Sequence, residues 1–306
     1  MENETSPLVS VVVSCYNHED YIKESLLSVL NQTYQNIELI VFDDGSVDKS
    51  AGIIEELSKE YHFFFQRQEN IGLTATSNKA IELCKGKYVA FLGSDDVFFD
   101  DKIEKQVQYM ETREDIAGCG GNIVFIDNKS TVLERQKNRK PYREIDFQTM
   151  FMNRKAGPPA PTAMLRLNVL REIGGYDPDI RLEDLYLWLK ITHCGYRLAM
   201  LSADMVYYRK HASNTHKDFK FMADSMIKIY EQYSEEQKYQ AAINKVIISM
   251  FLKTSKLDKR YALTLLRKIN LRFYSLKVLR GVWALITPAK GFLIRLDEST
   301  GSGKEE

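Results

Sequence analysis

Short apolar runs in this sequence repeatedly end in acids. Ile37-Glu-Leu-Ile-Val-Phe42 runs into Asp43-Asp44-Gly45-Ser46, and Tyr88-Val-Ala-Phe-Leu92 runs into Gly93-Ser94-Asp95-Asp96. Adjacent carboxylates at the end of a buried strand are costly unless something cationic neutralises them. A divalent metal carrying a phosphorylated ligand meets that need. A plainer reading of the second pair is that Ser94 or Asp95 caps a helix from Lys102 to Thr112. A third pair, Glu183-Asp184, opens the strongly apolar stretch Leu185-Tyr-Leu-Trp-Leu189. Acids in a first turn suit the helix dipole, which lowers their pKa, whereas burial or a neighbouring carboxylate raises it.

The surrounding elements decide whether these acids meet. Leu8 to Cys15 is β-branched almost throughout, the pattern of a strand buried on both faces of a parallel sheet. Apolar spacing predicts a helix over 21–31, then a strand over 37–42 and a helix over 49–61. A short strand over 63–66, a helix over 74–84 and a strand over 88–92 follow. Strands alternating with helices predict a doubly wound parallel sheet flanked by helices. Its strands point one way, so Tyr16, Asn17 and Glu19, then Asp43 and Asp44, Asn70, and Asp95 and Asp96 would converge at one edge. The first loop lacks the GxGxxG of a dinucleotide fold and places Tyr16, Asn17 and His18 there instead.

Beyond Asp101 the pattern changes. Ile116 to Ile126, with Gly118, Gly120 and Gly121, reads as a strand with bulges or close backbone approach. Asp127 to Arg143 reads as a solvated loop or hairpin, with acceptor contact the alternative. Gly157-Pro-Pro-Ala-Pro161 is too proline-rich for regular structure, and a strand restarts at Thr162 to Arg166. From Asp218 to Leu285 the pattern is helical.

The 306 residues carry 42 basic and 42 acidic side chains, and the balance hides a split. Arg260 to Leu296 holds eight cations and no acid, leaving 34 basic against 42 acidic groups elsewhere. Within it, Leu271 to Ile286 mixes apolar and aromatic residues with cations alone. That composition suits an interfacial helix on anionic lipid, with Phe273 and Trp283 as depth anchors, or a basic helix packed on the acidic body. Scattered cysteines without CxxC spacing suggest reduced thiols in a cytoplasmic protein. Met1 to Pro7 has no signal-peptide pattern and no run is long enough to span a bilayer.

Val-Ser-Cys-Tyr-Asn17, Ser-Val-Leu-Asn-Gln-Thr-Tyr34, Ile-Val-Phe-Asp-Asp-Gly-Ser46, Asn70-Ile-Gly72 and Gly-Ser-Asp-Asp96 together resemble the nucleotide-sugar half of family 2 inverting glycosyltransferases. That resemblance covers about the first 70% of the chain and implies the GT-A fold. It implies Tyr16 packing on the base or ribose, Asp44 accepting the uracil imide proton, and Asn70 flanking the base. Asp95 would contact the ribose, and Asp96 would ligate Mg²⁺ or Mn²⁺ across the diphosphate. Asn17 and Glu19 would complete the nucleotide-sugar site. Glu183-Asp184 resembles the family's Glu-Asp motif, which makes Asp184 the base on the acceptor hydroxyl and Glu183 its helper. Tyr207-Tyr-Arg-Lys-His211-Ala-Ser-Asn214 resembles the segment closing many such sites and gives His211 a metal or diphosphate contact. One departure is Ser77, where the family often has an arginine that reaches the nucleotide.

These readings predict a GT-A-like domain over 1–216, with a nucleotide-sugar half to about residue 100 and an acceptor half beyond it, and a helical, basic extension over 217–306. The expected activity is inverting transfer of one sugar from a UDP-linked donor to a glycan or lipid-linked acceptor in bacterial surface-polysaccharide assembly. No Gln-x-x-Arg-Trp motif follows Glu183-Asp184, which argues against a processive synthase. The expected setting is the inner face of the cytoplasmic membrane, with no nucleic-acid partner. A catalytically degenerate membrane-associated scaffold is the non-enzyme alternative. A sugar-phosphate nucleotidyltransferase would need a Gly-rich basic loop after the first strand, and none is there.

Overall fold

The structure, a computed structural model, describes residues 6–134, 139–152, 156–180, 182–210 and 219–287. It divides into two units, Met1–Asn214 and Thr215–Glu306.

In the first unit, β1 (Val9–Cys15) is buried at every residue but Ser14, as a strand covered on both faces must be. It pairs in parallel with β2 (Ile37–Asp43) on one side and β4 (Tyr88–Gly93) on the other, and β3 (Phe64–Arg67) adds in parallel to β2. Helices α1 (Ile22–Leu30), α2 (Ser50–Tyr61) and α3 (Leu73–Leu83) make the crossovers. All four strands therefore end at the same edge, and the polar loops meet there.

Ser94 and Asp95 do not cap a helix. They lie in a tight turn, closed by the Asp96 amide on the Gly93 carbonyl at 3.0 Å. That turn leads into a two-residue strand, β5 (Val97–Phe98), and α4 (Lys102–Glu111) starts later with Asp101 at its N-cap. Two residues are too short to leave a pattern in sequence. The rest of the unit comprises β6 (Ile116–Ile126), β7 (Val132–Glu134), β8 (Arg143–Ile145), α5 (Phe147–Phe151), β9 (Met164–Arg166), α6 (Leu167–Glu172), α7 (Glu183–His193) and β10 (Arg197–Arg209).

The sheet runs β3-β2-β1-β4-β9-β6-β10-β5, with β7 on β6 and β8 on β10. Its longest ladders are parallel, and β9 is an antiparallel wedge between β4 and β6. The β6 glycines make that wedge possible. A Cβ at Gly118 would lie 2.3 Å from the Leu165 side chain, and one at Gly120 would lie 2.5 Å from Thr162 Oγ1. Residues Ala160–Thr162 form a single 3-10 turn, so the strand expected from Thr162 begins at Met164. The stretch expected as a solvated loop or hairpin is in part a hairpin, β7 returning antiparallel on β6.

In the second unit, α8 (Phe219–Glu231), α10 (Lys259–Lys268) and α11 (Leu276–Ile286) all pack against α9 (Tyr239–Thr254). That arrangement explains why α9 is the least amphipathic of the four: it is buried on most sides, at Ile243, Val246, Ile247, Met250 and Phe251 among others. Among the described residues, no helix is long and apolar enough to cross a membrane.

Candidate active site

The loops at the carboxyl edge are laced to one another. Asn17 takes the left-handed backbone that asparagine tolerates, at φ 56°. Its amide donates to Ser46 Oγ at 2.9 Å, and its Oδ1 accepts the Val47 amide at 2.9 Å. Glu19 Oε2 accepts the Lys49 amide at 2.8 Å. Asn17 and Glu19 thus tie the loop after β1 to the loop after β2. His18 Nδ1 lies 2.7 Å from Ser94 Oγ and ties the same loop to the turn after β4. Tyr16 stands clear of this lacing, 49% exposed, with an open ring.

The acids after β2 divide their work. Asp43 is fully buried, and its Oδ1 closes an Asx turn on the Ser46 amide at 3.1 Å, with Gly45 at φ +83°. Among the described residues its Oδ2 receives no hydrogen bond; Arg67 Nε lies 3.6 Å from Oδ1. Asp44 faces the start of α3. Its Oδ1 accepts from Gln68 Nε2 at 2.9 Å and from the Ile71 amide at 3.0 Å, and its Oδ2 accepts the Gly72 amide at 2.9 Å. A carboxylate there gains from the helix dipole. Asn70 is exposed, with its backbone pressed on Gly45: a Cβ at 45 would lie 2.9 Å from the Asn70 nitrogen.

Ser77 is buried. A cation does stand on the same helix: Lys79 Nζ donates to Gln68 Oε1 at 2.9 Å and lies 5.4 Å from the centroid of the Phe42 ring. Lys79 and Gln68 therefore form a relay to Asp44. Sequence reading missed both residues, because neither belongs to a motif and the relay exists only once β3 and α3 are placed.

Asp95 and Asp96 converge over Gly93. A Cβ there would lie 3.0 Å from Asp95 Oδ1 and 3.2 Å from Asp96 Oδ2, so the glycine leaves the cradle open. Asp96 is 3% exposed, and burial and the Asp95 charge push its carboxyl well above the usual carboxylate range. The Arg209 amide, which donates to Oδ1 at 3.0 Å, opposes that rise. The buried Asp96 carboxyl and the half-buried Asp95 carboxyl, aimed into one cradle, are hard oxygen donors suited to Mg²⁺ or Mn²⁺. Among the described residues no cluster of three or more ligating side chains exists.

Arg209 organises this corner from the end of β10. Its side chain is 1% exposed, and its guanidinium donates to the Asp95 carbonyl at 2.7 Å, the Asp127 carbonyl at 2.9 Å, Ser130 Oγ at 3.0 Å and Glu24 Oε2 at 2.7 Å. It was legible in sequence only as a member of the segment ending at Asn214. His211, the contact expected from that segment, lies outside the described residues.

Glu183 and Asp184 open α7. Burial, and secondarily the Asp184 charge, push the Glu183 carboxyl up to about 6. Burial, then the Glu183 and Asp184 charges, raise the Tyr176 hydroxyl far above the ordinary tyrosine range. The Tyr176 ring meets Phe91 of β4 edge-on at 5.6 Å. Asn78 of α3 holds the Tyr176 peptide groups, donating from Nδ2 to the carbonyl at 2.8 Å and accepting the amide on Oδ1 at 2.9 Å. Behind α7, Trp188 Nε1 donates to the Pro158 carbonyl at 3.1 Å, and Gly157 leaves room for the indole. Tyr176, in the segment before α7, is thereby fixed to α3 and β4, the helix and strand next to the first acidic loops.

This mostly parallel sheet with its flanking helices is shared with known glycosyltransferases. The profile described as Glycosyl transferase family 2 matches residues 10–174, and the chain belongs to that family. It is 30% identical over 207 residues to UDP-Glc:alpha-D-GlcNAc-diphosphoundecaprenol beta-1,3-glucosyltransferase WfaP of Escherichia coli, covering 68% of this chain and 79% of that one. Its fold is GT-A-like. Staphylococcus aureus TarS 1-349, solved in complex with UDP-GlcNAc, superposes with a TM-score of 0.63 at 17% identity, covering 91% of this chain and 79% of that one. The mannosyltransferase PcManGT of Pyrobaculum calidifontis, solved with GDP-Man and Mn²⁺, gives 0.61 at 16% identity over 95% and 84%. The chain spans half the length of the longer TarS chain.

Proposed function

We propose that this chain transfers one sugar, with inversion, from a UDP-linked donor to a hydroxyl of a glycan or lipid-linked acceptor in bacterial surface-polysaccharide assembly. The observation that carries the reading is Tyr176. Its hydroxyl feels the charges of Glu183 and Asp184 while its ring packs on Phe91 of β4, the strand that leads to Asp95 and Asp96. One acidic pair for a donor diphosphate and another for an acceptor are thereby tied to the same strand.

In the proposed chemistry, Asp184 takes the proton of the acceptor hydroxyl as its oxygen bonds to the anomeric carbon. The bond from that carbon to the phosphate oxygen breaks on the opposite face, and the nucleoside diphosphate leaves with the electron pair. No covalent sugar–enzyme intermediate forms. Glu183 steadies the acceptor hydroxyl. Tyr16 offers its open ring to the base, Asp44 reads the uracil imide, Asn70 flanks the base, and Asp95 takes the ribose; Asn17 and Glu19 hold the loops that present them. When bound, Mg²⁺ or Mn²⁺ on Asp96 would neutralise the departing diphosphate. The UDP-Glc donor of WfaP and the UDP-GlcNAc of the TarS complex support the uridine choice, and the diphosphoundecaprenol acceptor of WfaP supports a lipid-linked one. Such an acceptor would place the protein peripherally on the inner face of the cytoplasmic membrane.

The test is a panel of UDP- and GDP-sugars with Mn²⁺, read by melting temperature and donor hydrolysis. Anomeric NMR of any transfer product completes it. The reading expects stabilisation by uridine nucleotides and an inverted product. No response to any uridine nucleotide, or a retained anomer, overturns it.

A further inference from the structure

The helix α11 presents an apolar stripe on the side turned away from its own unit. Val278 and Gly281 are its buried face, and Gly281 sits so close to α9 that a Cβ would lie 2.2 Å from the Phe251 ring. The opposite side carries Leu276, Leu279, Trp283 and Ile286, between 60% and 80% exposed. At 3.6 residues per turn these four fall within an arc of roughly 80°. Leu271 and Tyr274, in the turn before the helix, are also exposed. A helix normally hides its apolar arc and shows its polar one. Here the larger apolar side chains face out, and a small pair faces in.

The charges around the stripe have one sign. From Lys259 to Thr287 there are seven cations (Lys259, Arg260, Arg267, Lys268, Arg272, Lys277 and Arg280), every one of them exposed, and no acid. Arg280 and Lys277 follow the apolar arc on one side of α11. Lys259 Nζ donates to the Thr287 carbonyl at 2.9 Å, which brings the start of α10 beside the end of α11 and adds its cations to the same region. An outward apolar arc with an aromatic residue in it, flanked only by cations, is the pattern that lies in a bilayer interface beside anionic headgroups.

We infer that the outward face of α11, centred on Leu279 and Trp283, docks the protein on an anionic lipid surface. The apolar arc enters the headgroup boundary, and Lys277, Arg280 and Arg272 contact lipid phosphates. This deepens the proposed function, since it supplies the surface that a lipid-linked acceptor requires, and it rests on that reading only for its biological purpose. The docking itself is independent of sugar transfer.

The chain has two tryptophans, and Trp188 is 3% exposed, so a change in emission on adding lipid reports Trp283. The full-length protein is mixed with vesicles of phosphatidylglycerol or of phosphatidylcholine. A blue shift, quenching by brominated acyl chains and co-sedimentation are expected with the anionic vesicles, weakening by tenfold or more in high salt. L279E/W283E should lose co-sedimentation while keeping the melting shift given by UDP with Mn²⁺, and K277E/R280E should bind more weakly and lose its preference for anionic lipid. The UDP response checks that the first unit of a variant is folded, and its circular dichroism checks the helices of the second. Absence of any emission change with phosphatidylglycerol overturns the inference, as does unchanged binding by L279E/W283E. A blue shift that depends on protein concentration without lipid would mean that a second copy covers the stripe, and would also overturn it. A protein that binds vesicles but no nucleotide contradicts the enzyme reading and leaves the docking face standing.

Discussion

Asn78 and Tyr176 are 98 residues apart, and the amide of one side chain satisfies both peptide groups of the other residue, at 2.8 and 2.9 Å. The backbone explains why this grip is needed. Gly174 and Gly175 both have positive φ, and a Cβ at Gly175 would lie 2.6 Å from Asn78 Oδ1, so the loop approaches α3 as only glycine allows. Through this loop, α3 governs where Tyr176 and the first turn of α7 stand. Asn78→Ala should therefore cost about 1–3 kcal/mol of stability for the unpaired amide and carbonyl. It should slow transfer by about 100-fold if a shift near 1 Å reaches the acceptor acids. Donor binding, measured by the UDP-induced melting shift, should change little. Loss of UDP binding with normal turnover of bound donor would contradict this division.

The Gln68–Lys79 relay holds Asp44 in the orientation in which it is proposed to read a uracil imide. Gln68→Leu should keep the fold, because Asp44 retains the Ile71 and Gly72 amides. It should raise the KM for a UDP-sugar about tenfold, a loss of roughly one hydrogen bond to a charged group, with kcat less affected. Competition between UDP and CDP should become less selective. Kinetics with both nucleotides as inhibitors measure this directly.

Glu183, pushed up to about 6 by burial and by Asp184, should set the acid limb of the pH–rate profile. A carboxyl with a raised pKa is neutral below that value, so activity should fall as pH drops through 6. Glu183→Gln should lower the plateau and move the limb to more acidic pH. An unchanged limb in the variant would assign it to another group.

Lys102 gives a stability prediction independent of function. It is fully buried, donates to Gln106 Oε1 at 2.8 Å and lies 4.0 Å from the Phe98 ring centroid, and burial pushes it down to about 7. In the unfolded chain a lysine keeps its proton to about 10.4. Between those values the unfolded state binds more protons, so stability rises with pH above about 7, by at most ~1.4 kcal/mol per pH unit. Lys102→Met should flatten that slope. Urea midpoints for both proteins from pH 6.5 to 8.5 test it, and the difference between them isolates Lys102 from the cysteines.

The donor edge was legible because parallel strands buried on both faces leave unmistakable apolar runs, as β1 does, and because each run ends in a polar loop. The helix cap at Ser94 or Asp95 failed as a reading because β5 intervenes, two residues whose pairing with β10 depends on a strand a hundred positions away. The antiparallel wedge β9 is equally silent in sequence, since three residues between β4 and β6 gain their identity from both neighbours. Arg209, buried under Asp95 and Asp96, shows the same limit at the site. Its partners come from α1, the turn after β4 and the loop after β6, and no local spacing announces them.

The most direct test of the account concerns Asp184. Single-turnover transfer from a bound UDP-sugar should fall by about 10²–10⁴-fold in Asp184→Asn, the range of one general base, while the UDP-induced melting shift with Mn²⁺ is unchanged. Asp96→Ala should lose the metal-dependent part of that shift as well as transfer. Full transfer by both variants would contradict the mechanism proposed for this fold.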